Sequence, residues 1–231
     1  MLADADIAFS GCGFMGIYYV GVSKCIDSLA PDLLQRRIGG ASAGTRATLR
    51  SLIIKVLNTG ALQGVTLMAK VPFDEMARNI VNLALVSSQH LLATLTPSFN
   101  LSSVMREGLE EMLPDDIHLL VQDRLHISMT KVWDRSNLAV NSFNSKAELL
   151  DALQASSFVP IMCGLLPPRF KGSLAFDGFY TDNLPVFDSN TISVSPFAGD
   201  ASICPKDDRI FSFLKIKMPH GKINNFRNIC L

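Results

Sequence analysis

Net charge is the first thing this chain lacks. Its 21 basic and 21 acidic side chains cancel over 231 residues, and charged residues make up only 18% of the total. Lysine and arginine form nothing larger than scattered pairs such as Arg36-Arg37, so the electrostatic footprint that nucleic-acid binding depends on is missing. Low charge with 48% hydrophobic residues also excludes a disordered chain. Cysteine is sparse: Cys12, Cys25, Cys163, Cys204 and Cys230 are odd in number and share no C-x-x-C spacing, which points away from a disulfide framework and from a zinc site. A reducing, cytoplasmic setting follows. Long apolar runs are lacking too. The longest uncharged stretch, Val81 to Met105, contains Asn82, Ser87, Ser88, Gln89, His90, Pro97 and Asn100, too much polarity for a lipid-facing span. The N-terminus carries Asp4 and Asp6 where an export signal needs positive charge, and glycines break the uncharged stretch Ile7 to Ser23.

What is present is enough apolar material for one large domain, which at this length can bury roughly three quarters of the unfolded chain's surface. Ile7-Ala8-Phe9-Ser10 predicts a short strand that stops at Gly11-Cys12-Gly13. Tyr18, Val22, Cys25 and Leu29 then recur at helical spacing up to Pro31. A weak strand reaching Ile38 leads into Gly40-Ala41-Ser42-Ala43-Gly44 and a helix with Leu49, Leu52, Ile53 and Val56 on one face. Such a strand–helix–strand–helix unit belongs to a parallel sheet. The pattern blurs from Asn58 to Pro97, apart from a helix from Asp74 to about Ser87. It clears again with a helix over Leu101 to Met112, stopped by Pro114, and a short one near Ile117 to Gln122. Leu125 to Val132 alternates as a half-buried strand, with Leu138 to Phe143 as its hairpin partner. Ser145 and Glu148 form a capping box that opens a helix ending before Pro160. Further strands are expected at Leu174 to Phe176, Thr191 to Pro196 and Phe211 to Lys217. The expected fold is α/β, one domain with helices on both faces of the sheet.

Two glycine-rich segments could carry chemistry. Gly40-Ala41-Ser42-Ala43-Gly44 fits a nucleophile elbow, where a strand turns abruptly into a helix and small residues are needed because the two backbones nearly touch. Gly11-Cys12-Gly13-Phe14-Met15-Gly16 fits two chemistries. As G-x-G-x-x-G it matches a dinucleotide fingerprint, but that needs an acid ending the next strand, and Gln35-Arg36-Arg37-Ile38-Gly39-Gly40 has none there. As an oxyanion hole it would turn backbone N–H groups toward the alkoxide formed when Ser42 attacks an ester. Both turns follow neighbouring strands and lie at one carboxyl edge, which favours the hydrolase. For a base, His90, His118, His126 and His220 are each better explained as surface or packing residues. Asp177-Gly178, closing a strand directly before a turn, is better placed.

These three segments in this order resemble the patatin-like phospholipase family. The resemblance extends to its animal triglyceride lipase and adiponutrin subgroup through Tyr18-Tyr19-Val20-Gly21-Val22, Pro97-Ser98-Phe99-Asn100-Leu101, Phe143-Asn144-Ser145-Lys146, Ser157-Phe158-Val159-Pro160-Ile161, Asp182-Asn183-Leu184-Pro185 and Val194-Ser195-Pro196-Phe197. The resemblance implies a three-layer fold with a mostly parallel central sheet between helices. It makes Ser42 the nucleophile and Asp177 its activator. It gives the oxyanion to Gly11, Cys12, Gly13 and Phe14, and structural roles to Gly16, Gly40, Gly44 and Gly178. It implies no metal or cofactor, an acyl-enzyme, and an acylglycerol or phospholipid substrate met peripherally at a lipid droplet or membrane, triacylglycerol first. Phospholipid cleavage, acyl transfer between glycerides and a catalytically silent droplet-binding protein stand as alternatives. Three positions depart from the family's pattern: Met15, Arg46, and Phe179 where glycine or alanine is expected. By the same resemblance, residues 1–231 make one domain that stops before the family's last helices, with residues 55–80 as an atypical insertion.

Overall fold

The computed structural model describes residues 4–41, 60–89, 101–158, 163, 166–206, 215–218 and 221–224. Ser42, Gly44, Arg46, His90, His220, the expected helix around Leu49 to Val56, and the segments 97–100 and 159–161 lie outside them.

The chain begins as expected. Strand β1 (Ile7–Phe9) leads through a 3-10 turn at Gly13–Gly16 into α1 (Ile17–Leu29), and a second 3-10 turn at Pro31–Gln35 leads to β2 (Ile38–Gly40). The fully buried residues of α1 are Tyr19, Val20, Ser23 and Ile26; of the predicted face, Tyr18 and Val22 pack partly buried against the core, while Cys25 and Leu29 are exposed. Tyr19 is fully buried against Phe9, with ring centroids 5.0 Å apart, while Leu29 is 81% exposed. The rotation follows from polar contacts that composition does not reveal, among them the Gln63 Nε2 hydrogen bond to Ser23 Oγ at 3.0 Å.

Helix α2 (Gly60–Met68) was not predicted. Eight of its nine residues are buried, and it lies on β2 and on β3 (Leu125–Lys131). Its helix-weak glycines are there for contact. A Cβ at Gly64 would stand 2.7 Å from Leu125 Cδ1 and 3.0 Å from Ile38 Cγ2. Helix α3 (Phe73–Gln89) packs on α1, so from Gly60 onward the stretch expected to be an insertion supplies core. Helix α4 (Leu101–Met112) has the predicted bounds, and α5 (Ile117–Leu120) is shorter than expected.

After β3 come β4 (Asn137–Val140), α6 (Lys146–Ser156), β5 (Arg169–Phe170), β6 (Ser173–Asp177) and β7 (Ile192–Val194). β8 (Lys215–Met218) and β9 (Gly221–Asn224) form, among the described residues, a separate two-stranded sheet. The capping box at α6 forms in a variant shape: Glu148 N–H donates to Ser145 Oγ at 3.1 Å, while the Glu148 carboxylate accepts from Asn144 N at 2.7 Å. That bond to Asn144 is the largest influence holding the Glu148 carboxyl below the usual carboxylate range.

The main sheet is mixed and flanked by helices. Strands β7, β1, β2 and β3 are parallel, and β4 and β6 join β3 antiparallel. Alternation along the strands directs Ile38 and Leu125 toward α2. Gly39 and His126 then face the opposite side, where Phe187 lies against both.

Candidate active site at the carboxyl edge

The register of β3 brings distant chain positions together. β4 pairs with Ile127 to Thr130, β2 with Leu125 to Ile127, and β6 with Met129 to Lys131. A strand has two edges, and the overlaps with β4 place β2 and β6 on the same one. They therefore run toward each other and meet end to end. Gly40 is opposite Ile127 and Asp177 is opposite Met129. Two residues of β3, about 7 Å of strand, separate their levels. Ala41, which follows Gly40, is buried, and Ser42 is the next residue in the chain.

Backbone contact is closest at this junction. A Cβ on Gly40 would lie 2.3 Å from Gly60 C and Ala61 N, and one on Gly60 would lie 2.6 Å from the carbonyl oxygens of both Ala41 and Phe9. The N-terminus of α2 is thus wedged between the carboxyl ends of β1 and β2. The contact is made by the helix that begins at Gly60.

The turn after β1 is tied down at several points. Ser10 N–H donates to Val194 O at 2.9 Å. Gly11 N–H donates to Asn183, with the backbone oxygen and Oδ1 both at 3.2 Å. Tyr19 Oη donates to Ser10 O, and complete burial pushes this phenol well above its usual range. Gly13 has φ +60°, a left-handed conformation for which glycine is suited. Gly11 was expected to face an oxyanion, but its N–H is engaged by Asn183 and anchors the turn. The backbone from Cys12 to Phe14 enters the 3-10 turn beyond that anchor, and Gly16 caps α1.

Asp177 ends β6 fully buried, with Oδ1 accepting the Phe179 N–H at 2.8 Å. A polar net fixes its turn. Thr130 Oγ1 donates to Asp177 O at 2.7 Å, Ser128 Oγ donates to Asp182 O at 2.9 Å, and Asn137 Nδ2 donates to Ser128 Oγ at 2.7 Å and Thr181 Oγ1 at 2.9 Å. The tight position in this turn is Gly178, whose Cβ would stand 2.4 Å from Ser128 O. Phe179 is half-buried, its ring 5.7 Å from Tyr180, so the bulky residue fits the turn that glycine shapes.

The described histidines lie elsewhere. His118 is on α5. His126 pairs with Gly39, three residues before Met129 on β3, and its ring meets Phe187 at 4.7 Å. Among the described residues no three His, Cys, Asp or Glu side chains are grouped to hold a metal, and no helix is long and apolar enough to cross a membrane. Asn183, Thr130, Ser128, Asn137 and Gly60 had no role in the sequence reading. The only signal near them was the segment Asp182-Asn183-Leu184-Pro185.

The chain is 39% identical over 204 residues to the 1-acylglycerol-3-phosphate O-acyltransferase Pnpla3 of Mus musculus, covering 87% of this chain and 46% of that protein. It is 40% identical over 205 residues to the Patatin-like phospholipase domain-containing protein 2 of Homo sapiens, with 87% and 38% covered. It is 35% identical over 206 residues to the Omega-hydroxyceramide transacylase of Homo sapiens, with 87% and 36% covered. The chain spans less than half the length of these relatives. The Patatin-like phospholipase family pattern matches residues 7–188, a span that takes in the turn after β1, the end of β2 and Asp177, and the chain belongs to that family.

Proposed function

We propose that this chain is a lipid acyl hydrolase that cleaves fatty acyl esters through a Ser42–Asp177 dyad, with triacylglycerol as its substrate. The observation that carries the reading is the end-to-end meeting of β2 and β6 on one edge of β3, which brings Asp177 to the strand end that Ser42 follows. In the proposed cycle Ser42 Oγ attacks the ester carbonyl and passes its proton to the Asp177 carboxylate. The carbonyl oxygen becomes an alkoxide, met by the backbone of Cys12 to Phe14. Collapse expels the glyceride alcohol, which takes the proton back and leaves the acyl group on Ser42. Water, deprotonated by Asp177, then releases the fatty acid.

Acyl transfer to a lipid alcohol uses the same acyl-enzyme with a different acceptor. The names of two relatives, an O-acyltransferase and a transacylase, support it as the second reading. In either case the substrate is met at a droplet or membrane surface, with residues 1–231 acting as one domain. The test is labelling by a fluorophosphonate serine probe beside Ser42→Ala and Asp177→Asn proteins of matched folded content. Ser42→Ala should abolish labelling, and Asp177→Asn should slow it by roughly 10²–10⁴-fold, the range for losing a general base. A well-folded parent that does not label would leave lipid binding without catalysis. Adding a diacylglycerol acceptor separates the two enzymatic readings by product.

A further inference from the structure

Asn137 opens β4 as an exposed residue, yet its side chain reaches the turn that carries Asp177. Its amide nitrogen lies 2.7 Å from Ser128 Oγ, 2.9 Å from Thr181 Oγ1 and 3.3 Å from Met129 O. A carbonyl oxygen can only accept, so the group beside Met129 O is the NH2 of the amide, and it donates to the two hydroxyls.

That fixes the direction of each hydrogen bond downstream. Ser128 Oγ accepts from Asn137 and spends its single hydrogen on Asp182 O at 2.9 Å. Thr130 Oγ1 spends its hydrogen on Asp177 O at 2.7 Å, so in its 2.9 Å pair with Thr181 it accepts and Thr181 donates. Two one-way branches therefore leave one amide. One runs through Ser128 to the carbonyl of Asp182, the other through Thr181 and Thr130 to the carbonyl of Asp177. They grip the two ends of the turn 177–182, which is also closed by Asp182 N–H donating to Gly178 O at 2.8 Å. The next residue, Asn183, holds the Gly11 N–H of the turn after β1. Hydrogen bonds aligned in series polarise one another, so removing the first donor weakens every later link.

We propose that Asn137 is a positioning residue: its amide orients both hydroxyl branches and so fixes Asp177 relative to the turn that Asn183 anchors, a role that rests on the Ser42–Asp177 reading above. Asn137→Asp keeps the shape and replaces the donor with an acceptor. Both hydroxyls would then donate to the new carboxylate and release Asp182 O and Thr130. Thr181→Val cuts one branch and spares the other, and Thr181→Ser keeps the hydroxyl.

Two quantities are measured on the full chain: hydrogen–deuterium exchange of peptides covering 177–183, and kcat and KM for p-nitrophenyl butanoate. In Asn137→Asp the turn should exchange about tenfold faster, as for the loss of one or two hydrogen bonds. Its kcat should fall by about 10- to 10²-fold with KM little changed, the scale for a misplaced catalytic group. Thr181→Val should lose less, and Thr181→Ser should recover most of that loss. The double variant Asn137→Asp/Thr181→Val should be no slower than Asn137→Asp alone, because the shared branch is already broken.

Unchanged exchange in Asn137→Asp would overturn the proposal. So would faster exchange with an unaltered kcat, or full additivity in the double variant, which is what two unrelated structural losses give. If the parent cleaves no ester, the Ser42–Asp177 reading fails and the positioning role falls with it; if the parent cleaves esters and Asn137→Asp matches it, only the role of Asn137 fails. Should Asn137→Asp not fold, the comparison of Thr181→Val with Thr181→Ser decides by the same two readouts.

Discussion

Alanine at Gly40 should be strongly destabilising, whereas alanine at Gly21 should stabilise. The methyl added at Gly40 falls 2.3 Å from backbone atoms of Gly60 and Ala61, roughly 1 Å inside ordinary contact. Those atoms belong to the first turn of a buried helix, so no side chain can swing aside. Helix α2 must lift as a body, which loosens Gly64 from Ile38 and Leu125. Such overpacking costs about 1–3 kcal/mol. For a domain of this size each kcal/mol is worth about 2–4 °C in Tm, so Gly40→Ala should melt roughly 2–12 °C below the parent. Gly21 sits in α1 with nothing within 4 Å of its would-be Cβ. Alanine there gains close to 1 kcal/mol of helix propensity, and Tm should rise by about 2–4 °C. Thermal melts followed by circular dichroism at one scan rate read both. Gly40→Ala melting at or above the parent would refute the contact between β2 and α2.

Asn183→Ala removes the side-chain acceptor for Gly11 N–H and about 1 kcal/mol of stability. Its serine-probe labelling rate should fall by more than that small stability loss explains, and an unchanged rate would count against the anchoring role. His126 gives a pH dependence. Burial is the largest influence lowering its pKa; the Arg37 cation adds to it, while Asp123 and Asp6 oppose. The unfolded chain, near 6.5, therefore takes up a proton first. Stability should fall as pH drops below that value toward the folded one, and be level above it. Urea melts at pH values on either side should show a parent less stable in acid, with the difference shrinking in His126→Gln. An equal difference in both proteins would remove His126 from the account.

Much of the local structure could be read directly. The helix Leu101–Met112 was bounded by its apolar period and Pro114, and the start of α6 by Ser145 and Glu148. Both signals are local. Helix α2 escaped because Gly60 and Gly64 weaken a helical pattern, yet they are the residues that let it touch β2 and β3. Tertiary contact overrode propensity there. The fully buried line of α1 falls one position from the predicted face because apolar spacing gave no weight to Ser23, which is buried and bonded to Gln63. For the site, Asp177-Gly178 stood out as a strand end before a turn. Its place beside the end of β2 depends on which edge of β3 each strand takes, and no short window of residues encodes that. The same holds for Asn183, whose partner Gly11 is 172 positions away.

One strand that contributes no proposed chemistry sets the geometry of the chemistry. Since β2 and β6 both hang from β3, the distance between their tips is a length measured on seven consecutive residues, of which Ile127 and Met129 are wholly enclosed. β3 acts as a ruler. A one-residue slip along it would exchange apolar Ile127 and Met129 with polar Ser128 and Thr130 between two enclosed faces, so the scale is locked by the core. Loops elsewhere between residues 41 and 177 can lengthen or shorten with little entropic penalty and leave the two marks on the ruler where they are.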